Sequence, residues 1–156
     1  MEKSDTMGTA PRISIILPLY RVKDFLQEAL DSIKSQTFTD WECLCLDDGS
    51  GNGMADFART LTQDDPRFLV REYPNAGVAA TRNRGLELAR GEFIAFIDQD
   101  DVYHPQFLEV LLDAIVSTGA DCAMVRFQSE GPAWEPTPGR ACLIADPCAW
   151  LLSQSQ

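Results

Sequence analysis

Two short acidic runs, Asp47-Asp48 and Asp98-Gln99-Asp100-Asp101, are the residues of this 156-residue chain best suited to do chemistry. Each closes an apolar stretch, residues 41–46 and 93–97 respectively. In a turn leaving a strand, the carboxylates of Asp98 and Asp100 can face one small volume. Asp47 and Asp48 should lie nearby if both strands belong to one sheet. Like charges crowded in a cleft raise one another's pKa unless something compensates. A hard divalent cation does so, and it takes oxygen ligands from carboxylates and from substrate phosphates. The acids therefore read as a Mg2+ or Mn2+ site that holds a diphosphate. The plainer alternative is a pair of solvated acidic turns.

No Gly-x-Gly-x-x-Gly follows the first apolar run; Pro18-Leu19-Tyr20-Arg21 does. Pro18 has no backbone N–H to offer a phosphate. The phosphate cradles of dinucleotide folds and P-loop enzymes are thus missing, which leaves the phosphates to a metal.

The acids need a scaffold that aims strand ends at one place. Strands are predicted at residues 13–17, 41–46, 68–72, 93–97 and 121–127. Helices are predicted at 24–36, 54–63, 79–90 and 105–117, where apolar residues recur every three or four positions, as in Phe25, Leu26, Ala29, Leu30 and Ile33. Gly91 is expected to close the third helix in a left-handed cap, and Pro105 to open the fourth. This alternation implies an α/β fold with a mainly parallel sheet flanked by helices. Ligands bind such sheets beyond the carboxyl ends of the strands, where strand order reverses. The first strand is expected beside the fourth, so that residues 18–20 and 98–100 border one cleft. After Phe127 the rhythm changes. Residues 129–141, rich in Pro and Gly, read as a loop or hairpin, and 146–152 as the start of a helix capped by Asp146.

Composition excludes several classes. With 45% apolar and 24% charged residues the chain suits a soluble globular domain. Residues 1–11 read as a flexible tail without the apolar core of a signal peptide, and no apolar run reaches the length of a membrane span. A net charge of −11 repels phosphate backbones, so nucleic acid is not an expected partner. The five cysteines form no Cys-x-x-Cys. They read as reduced, buried thiols of a cytoplasmic protein, free or peripheral at the inner face of a membrane.

The segments Ile15-Ile16-Leu17-Pro18-Leu19-Tyr20, Ser35-Gln36-Thr37-Phe38, Trp41-Glu42, Asp47-Asp48-Gly49-Ser50, Asn75-Ala76-Gly77, Thr81-Arg82-Asn83-Arg84-Gly85, Gly91-Glu92-Phe93-Ile94 and Asp98-Gln99-Asp100-Asp101 follow one another in an order that closely resembles family 2 glycosyltransferases. Each segment alone is a weak signal; the ordered set, over residues 12–127, is specific. The resemblance implies a GT-A fold and a nucleoside diphosphate sugar donor, with UDP as the expected nucleotide. It implies transfer with inversion to a glycan, lipid-linked or protein acceptor, in polysaccharide or glycoconjugate synthesis. It also implies roles. Pro18 and Tyr20 would line the base pocket, and Asp47 or, more in keeping with the motif, Asp48 would accept the base N–H. Asp98 would sit by ribose and metal, and Asp100 would bind the metal. Gly77 and Arg82 would pass near the nucleotide sugar, although Arg82 could equally be an ion pair that fixes its helix to the acids.

Two departures stand out. Gly51-Asn52-Gly53 follows Asp-Gly-Ser where the family often has Thr-Asp, and no Glu-Asp pair occurs anywhere to supply the family's catalytic base. The base is therefore expected beyond residue 156. Residues 12–128 would be the donor-binding domain and 129–156 a loop and the start of an acceptor-side region cut short. On that reading the chain by itself binds donor without transferring it. A haloacid-dehalogenase-like phosphatase, suggested by the run from Phe96 to Val102, is a remote alternative, since no lysine follows Lys34. His104 reads as structural, Trp41 as core, and Trp134 as the better sugar-stacking candidate.

Overall fold

The computed structural model describes residues 10–125 and 142–143. The chain divides into two compact units, residues 1–105 and 106–156. In the first, strands β1 (Ile13–Leu19), β2 (Trp41–Asp48), β3 (Phe68–Tyr73) and β4 (Phe93–Phe96) form a fully parallel sheet in the order β3-β2-β1-β4. Helices α1 (Leu26–Lys34), α2 (Met54–Thr62) and α3 (Val78–Leu88) connect them. The second unit holds α4 (Phe107–Thr118) and the antiparallel pair β5 (Ala123–Met124) and β6 (Cys142–Leu143).

The apolar pattern accounts for this order. β1 and β2 are buried along their whole length, as continuous apolar runs in a parallel sheet covered on both faces should be. β3 alternates between half-buried and exposed positions over most of its length, as an edge strand does. Leu88 and Ala89, at the end of α3, pack on Ile16, Leu44 and Leu46. Each such apolar side chain, once fully buried, contributes about 1.5–3 kcal/mol. α2 packs on β2 and β3, and α1 on α2. Cys43 and Cys45 lie in the core with their sulfurs 3.8 Å apart. Burial, then the neighbouring Cys45, raises the Cys43 thiol pKa and keeps it protonated.

Two glycines set how closely layers approach. A Cβ on Gly85 would stand 2.5 Å from Ile16 Cγ2, so only glycine lets α3 lie this close to β1. Gly91 is no helix cap, contrary to the sequence expectation. α3 ends at Leu88 with Ala89 extended at its C-cap, and a Cβ on Gly91 would meet the Ser14 backbone N at 2.5 Å. Gly91 is there because the chain entering β4 passes against β1.

That passage is fastened by a polar cluster at the N-terminal end of the sheet. Buried Glu42 accepts hydrogen bonds from Ser14 Oγ at 2.7 Å, Arg90 N at 2.9 Å, Arg90 Nε at 2.9 Å and Arg90 Nη2 at 2.5 Å. Burial would raise the Glu42 pKa, but the bonds from Arg90 and Ser14 outweigh it and hold the carboxyl below its usual range.

Other boundaries shift modestly. α1 begins at Leu26, two residues after the expected start, without a side-chain cap. Pro105 precedes α4 rather than opening it; its carbonyl accepts from Thr37 N at 2.8 Å. His104 also precedes that helix, its carbonyl accepting from Gln36 Nε2 at 2.8 Å. β5 spans two residues, where a strand over 121–127 was expected. Trp134, Glu130, Glu135 and Asp146 lie outside the described residues. No helix among the described residues is long and apolar enough to cross a membrane.

Candidate functional site

Strand order reverses at β1, with β2 and β3 to one side and β4 to the other. The crevice beyond the strand ends at such a point is where α/β sheets take ligands. A cleft of about 520 Å³ opens there, and Pro18, Tyr20, Asp48, Gly77, Arg82, Asp98, Gln99 and Asp100 are among the residues that line it. These come from four separate stretches of the chain: the end of β1, the end of β2, the start of α3 and the turn after β4.

The β1 end is shaped by Pro18 and Arg21. Ile97 N donates to Ile16 O at 3.2 Å, which closes the ladder between β1 and the chain leaving β4. Alternation puts the backbone of every second residue on that edge, so the next donor would be Pro18, which has none. Beyond it, Gln99 reaches back: Tyr20 N donates to Gln99 Oε1 at 2.8 Å and Gln99 Nε2 donates to Tyr20 O at 3.0 Å. Arg21 then adopts φ +59°, a left-handed conformation disfavoured for a side chain of this size. Its N–H donates to Ser50 Oγ at 2.9 Å and its carbonyl accepts from Asn52 Nδ2 at 2.8 Å. Its guanidinium stacks over the Tyr20 ring at 4.9 Å.

Asp47 and Asp48 divide in direction. Asp47 is fully buried and accepts from Ser50 N at 3.2 Å and from Ser50 Oγ, forming the staple of the β2–α2 turn. It is not among the cleft-lining residues. Asp48 turns toward the α3 N-terminus. Its Oδ1 accepts from Ala76 N at 2.8 Å and Arg84 Nη1 at 3.4 Å; its Oδ2 accepts from Gly77 N at 2.8 Å and Asn75 Nδ2 at 3.2 Å. Burial pushes this carboxyl up, and the Ala76 and Gly77 amides, with Thr81 and Arg84, more than reverse it. Gly77 takes φ +88°, a value its lack of a Cβ permits.

Across the cleft, Arg82 Nη2 pairs with Asp98 Oδ1 at 2.6 Å, both side chains partly exposed. This is the ion pair weighed from the sequence. Arg82 Nε is buried without a hydrogen-bond partner among the described residues. Asp101 N donates to Asp98 O at 3.1 Å and tightens the acid turn. Asp100 lies exposed on the cleft wall. Burial, then the charges of Asp100 and Asp98, raises the Asp101 pKa.

Among the described residues no three Asp, Glu, His or Cys side chains converge to hold a metal by themselves. This fits Mg2+ or Mn2+, which binds through one or two carboxylates and completes its shell with substrate phosphates and water. Asp98 and Asp100 are carboxylates that line the cleft. Gln99 escaped the sequence reading; its only signal was an amide standing between two acids.

The family model for glycosyl transferase family 2 matches residues 14–142. The uncharacterised glycosyltransferase YibD of Escherichia coli K12 is 30% identical over 136 residues, which cover 85% of this chain and 40% of YibD. Staphylococcal TarS 1–349 (S. aureus), in complex with UDP-GlcNAc, superposes with a TM-score of 0.66 at 26% identity, covering 70% of this chain and 32% of that one. The mannosyltransferase PcManGT from Pyrobaculum calidifontis, in complex with GDP-Man and Mn2+, gives a TM-score of 0.56 at 26% identity over 60% of this chain and 29% of that one. The chain thus spans well under half the length of these relatives. A family match over most of the chain, ordered motifs and a parallel sheet shared with glycosyltransferases of known structure lead to one conclusion: the chain belongs to glycosyl transferase family 2 and has the GT-A fold.

Proposed function

We propose that this chain holds the nucleoside diphosphate sugar for a glycosyltransferase that inverts at the anomeric carbon. The observation that carries the reading is the single cleft into which Tyr20, Asp48, Gly77, Arg82, Asp98 and Asp100 converge. Pro18 and Tyr20 form its apolar wall and would pack against the base. Both oxygens of Asp48 already accept hydrogen bonds, so a base N–H would share an oxygen with the 75–77 loop or displace one of its donors. Asp47 would support Asp48 from beneath through the Ser50 turn. Arg82 holds Asp98 beside the ribose and adds positive charge near the phosphates. Asp98 and Asp100 would hold Mg2+ or Mn2+, which when bound neutralises charge on the departing diphosphate.

In the transfer, an acceptor hydroxyl attacks the anomeric carbon from the face opposite the diphosphate. The bond to the diphosphate oxygen breaks with its electron pair, and a base takes the hydroxyl proton. The residues named here serve the leaving-group side, where most charge develops. Donor binding and transfer are therefore separable, and residues 12–128 are proposed as the donor-binding part.

Calorimetry of this chain with UDP, in Mn2+ and in chelator, tests the reading. Tight binding in Mn2+ and weak binding in chelator are expected. Asp100→Ala should abolish the difference, since losing a direct ligand costs more than the roughly 10–100-fold typical of outer-shell partners. Equal affinity in both buffers would sink the metal-dependent reading.

A further inference from the structure

We propose that Gln99 is a positioning residue that locks the base wall of the cleft to its diphosphate end, a role that rests on the donor-binding reading above. The backbone around Tyr20 is an interrupted ladder. Pro18 removes the next donor on the β4-facing edge of β1, and the β1–β4 register runs only from Ile13↔Phe93 to Ile16↔Phe96. At Tyr20 the same edge is filled by a side chain. The Gln99 amide accepts from Tyr20 N and donates to Tyr20 O, the two contacts a neighbouring strand would have made.

The consequence is geometric. Gln99 sits between Asp98 and Asp100, so the group that fixes the height of Tyr20 also fixes the acid turn. On its other flank the Tyr20 segment is held through Arg21 N and Ser50 Oγ to Asp47. Tyr20 is thereby tied to the ends of β2 and β4 together, and the β4 tie passes through one planar amide. A glutamate could accept from Tyr20 N but not donate to Tyr20 O at neutral pH. Asparagine has the right group one methylene short. Methionine has the right length without the hydrogen bonds.

A ligand that spans both ends should need this lock, whereas a ligand at one end should not. The separation between base wall and acids matters only when one molecule must touch both.

The experiment measures three dissociation constants by NMR titration of the chain: uridine, Mn2+-pyrophosphate and UDP with Mn2+. In Gln99→Met and Gln99→Asn, UDP with Mn2+ should bind about tenfold more weakly, because part of its binding energy must then go to ordering the Tyr20 segment against the acid turn. Uridine and Mn2+-pyrophosphate should each stay within about twofold, and the melting temperature should hardly move, because the contact is solvent-exposed. Wild-type binding of UDP with Mn2+ that both variants preserve would overturn the proposal alone. Parallel weakening of all three probes would overturn it as well, since it marks a general structural defect. If the wild type binds no UDP in Mn2+, the donor reading fails and the proposal with it.

Discussion

Asp48→Asn is the substitution whose outcome the structure constrains most tightly. The carboxylate is buried, and its two oxygens receive Ala76 N and Gly77 N, both at 2.8 Å, with Asn75 Nδ2 and Arg84 Nη1 further out. An amide of the same shape keeps one oxygen. Whichever way it turns, one backbone N–H then faces an NH2 group and is orphaned. An unsatisfied buried donor costs about 1–3 kcal/mol, and a hydrogen bond to a charged group is worth about 1.5–3 kcal/mol against roughly 1 for a neutral one. Relief from burying a charge offsets part of this, leaving a net loss of about 2–3 kcal/mol. For a chain of 156 residues that corresponds to roughly 4–12 °C in melting temperature. Urea unfolding at a series of pH values is the assay. The folded-state pKa of Asp48 lies below the ordinary value near 3.9. Its contribution is therefore fully present above about pH 4 and is lost as pH falls through the lowered pKa. The penalty of the variant should be full at pH 7 and shrink below pH 4, as the wild type itself becomes protonated. A penalty below about 1 kcal/mol at pH 7, or one that stays constant down to pH 3, would refute the argument.

Glu42→Gln should destabilise the chain by about 1–2 kcal/mol at neutral pH, because the Arg90 fork and Ser14 lose a charged acceptor. Its penalty should likewise fade as pH drops below the ordinary carboxylate value, since the Glu42 pKa is lowered. Nucleotide affinity should stay unchanged, because the cluster lies at the opposite end of the sheet from the cleft; a matching loss of affinity would show the two ends to be coupled. Arg21→Asn should raise stability by about 0.5 kcal/mol in urea melts, since asparagine tolerates φ +59° better than arginine does. The gain is trimmed by the lost stacking on Tyr20. A clear loss of stability would mean that the arginine side chain outweighs its backbone strain.

Local pattern made the sheet and most of the cleft legible. Apolar runs located β1 to β4 within two residues, and the acids marked where β2 and β4 stop. The placing of β1 beside β4 was expected and is found, but no local pattern in the sequence carries it. What stayed hidden was settled by partners far away in sequence. Gly91 looked like a cap because it follows a helix; its constraint comes from Ser14, which only the folded sheet brings near. The resemblance favoured Asp48 over Asp47 without giving a physical reason, and their neighbours supply it: Ser50 takes Asp47, and residues 75–77 take Asp48. Gln99 pairs with a residue 79 positions away, and nothing in its local context announces that. The seven-residue strand expected at 121–127 has apolar character, but only Ala123 and Met124 find a ladder partner among the described residues.

The β4 strand has a colloidal consequence. Among the described residues it has a ladder partner on one side only, and Ile94 and Phe96 are exposed on its surface. Tyr103 Oη donates to Phe96 O at 2.8 Å and caps part of that edge, yet an incompletely paired strand edge beside exposed apolar side chains is a template on which another chain can add. Opposing that is the net charge of −11, which makes two copies repel. Salt screens such repulsion over about 10 Å at 0.1 M while leaving apolar attraction in place. Added salt is therefore expected to favour association of this chain in concentrated solution, and low salt dispersed molecules.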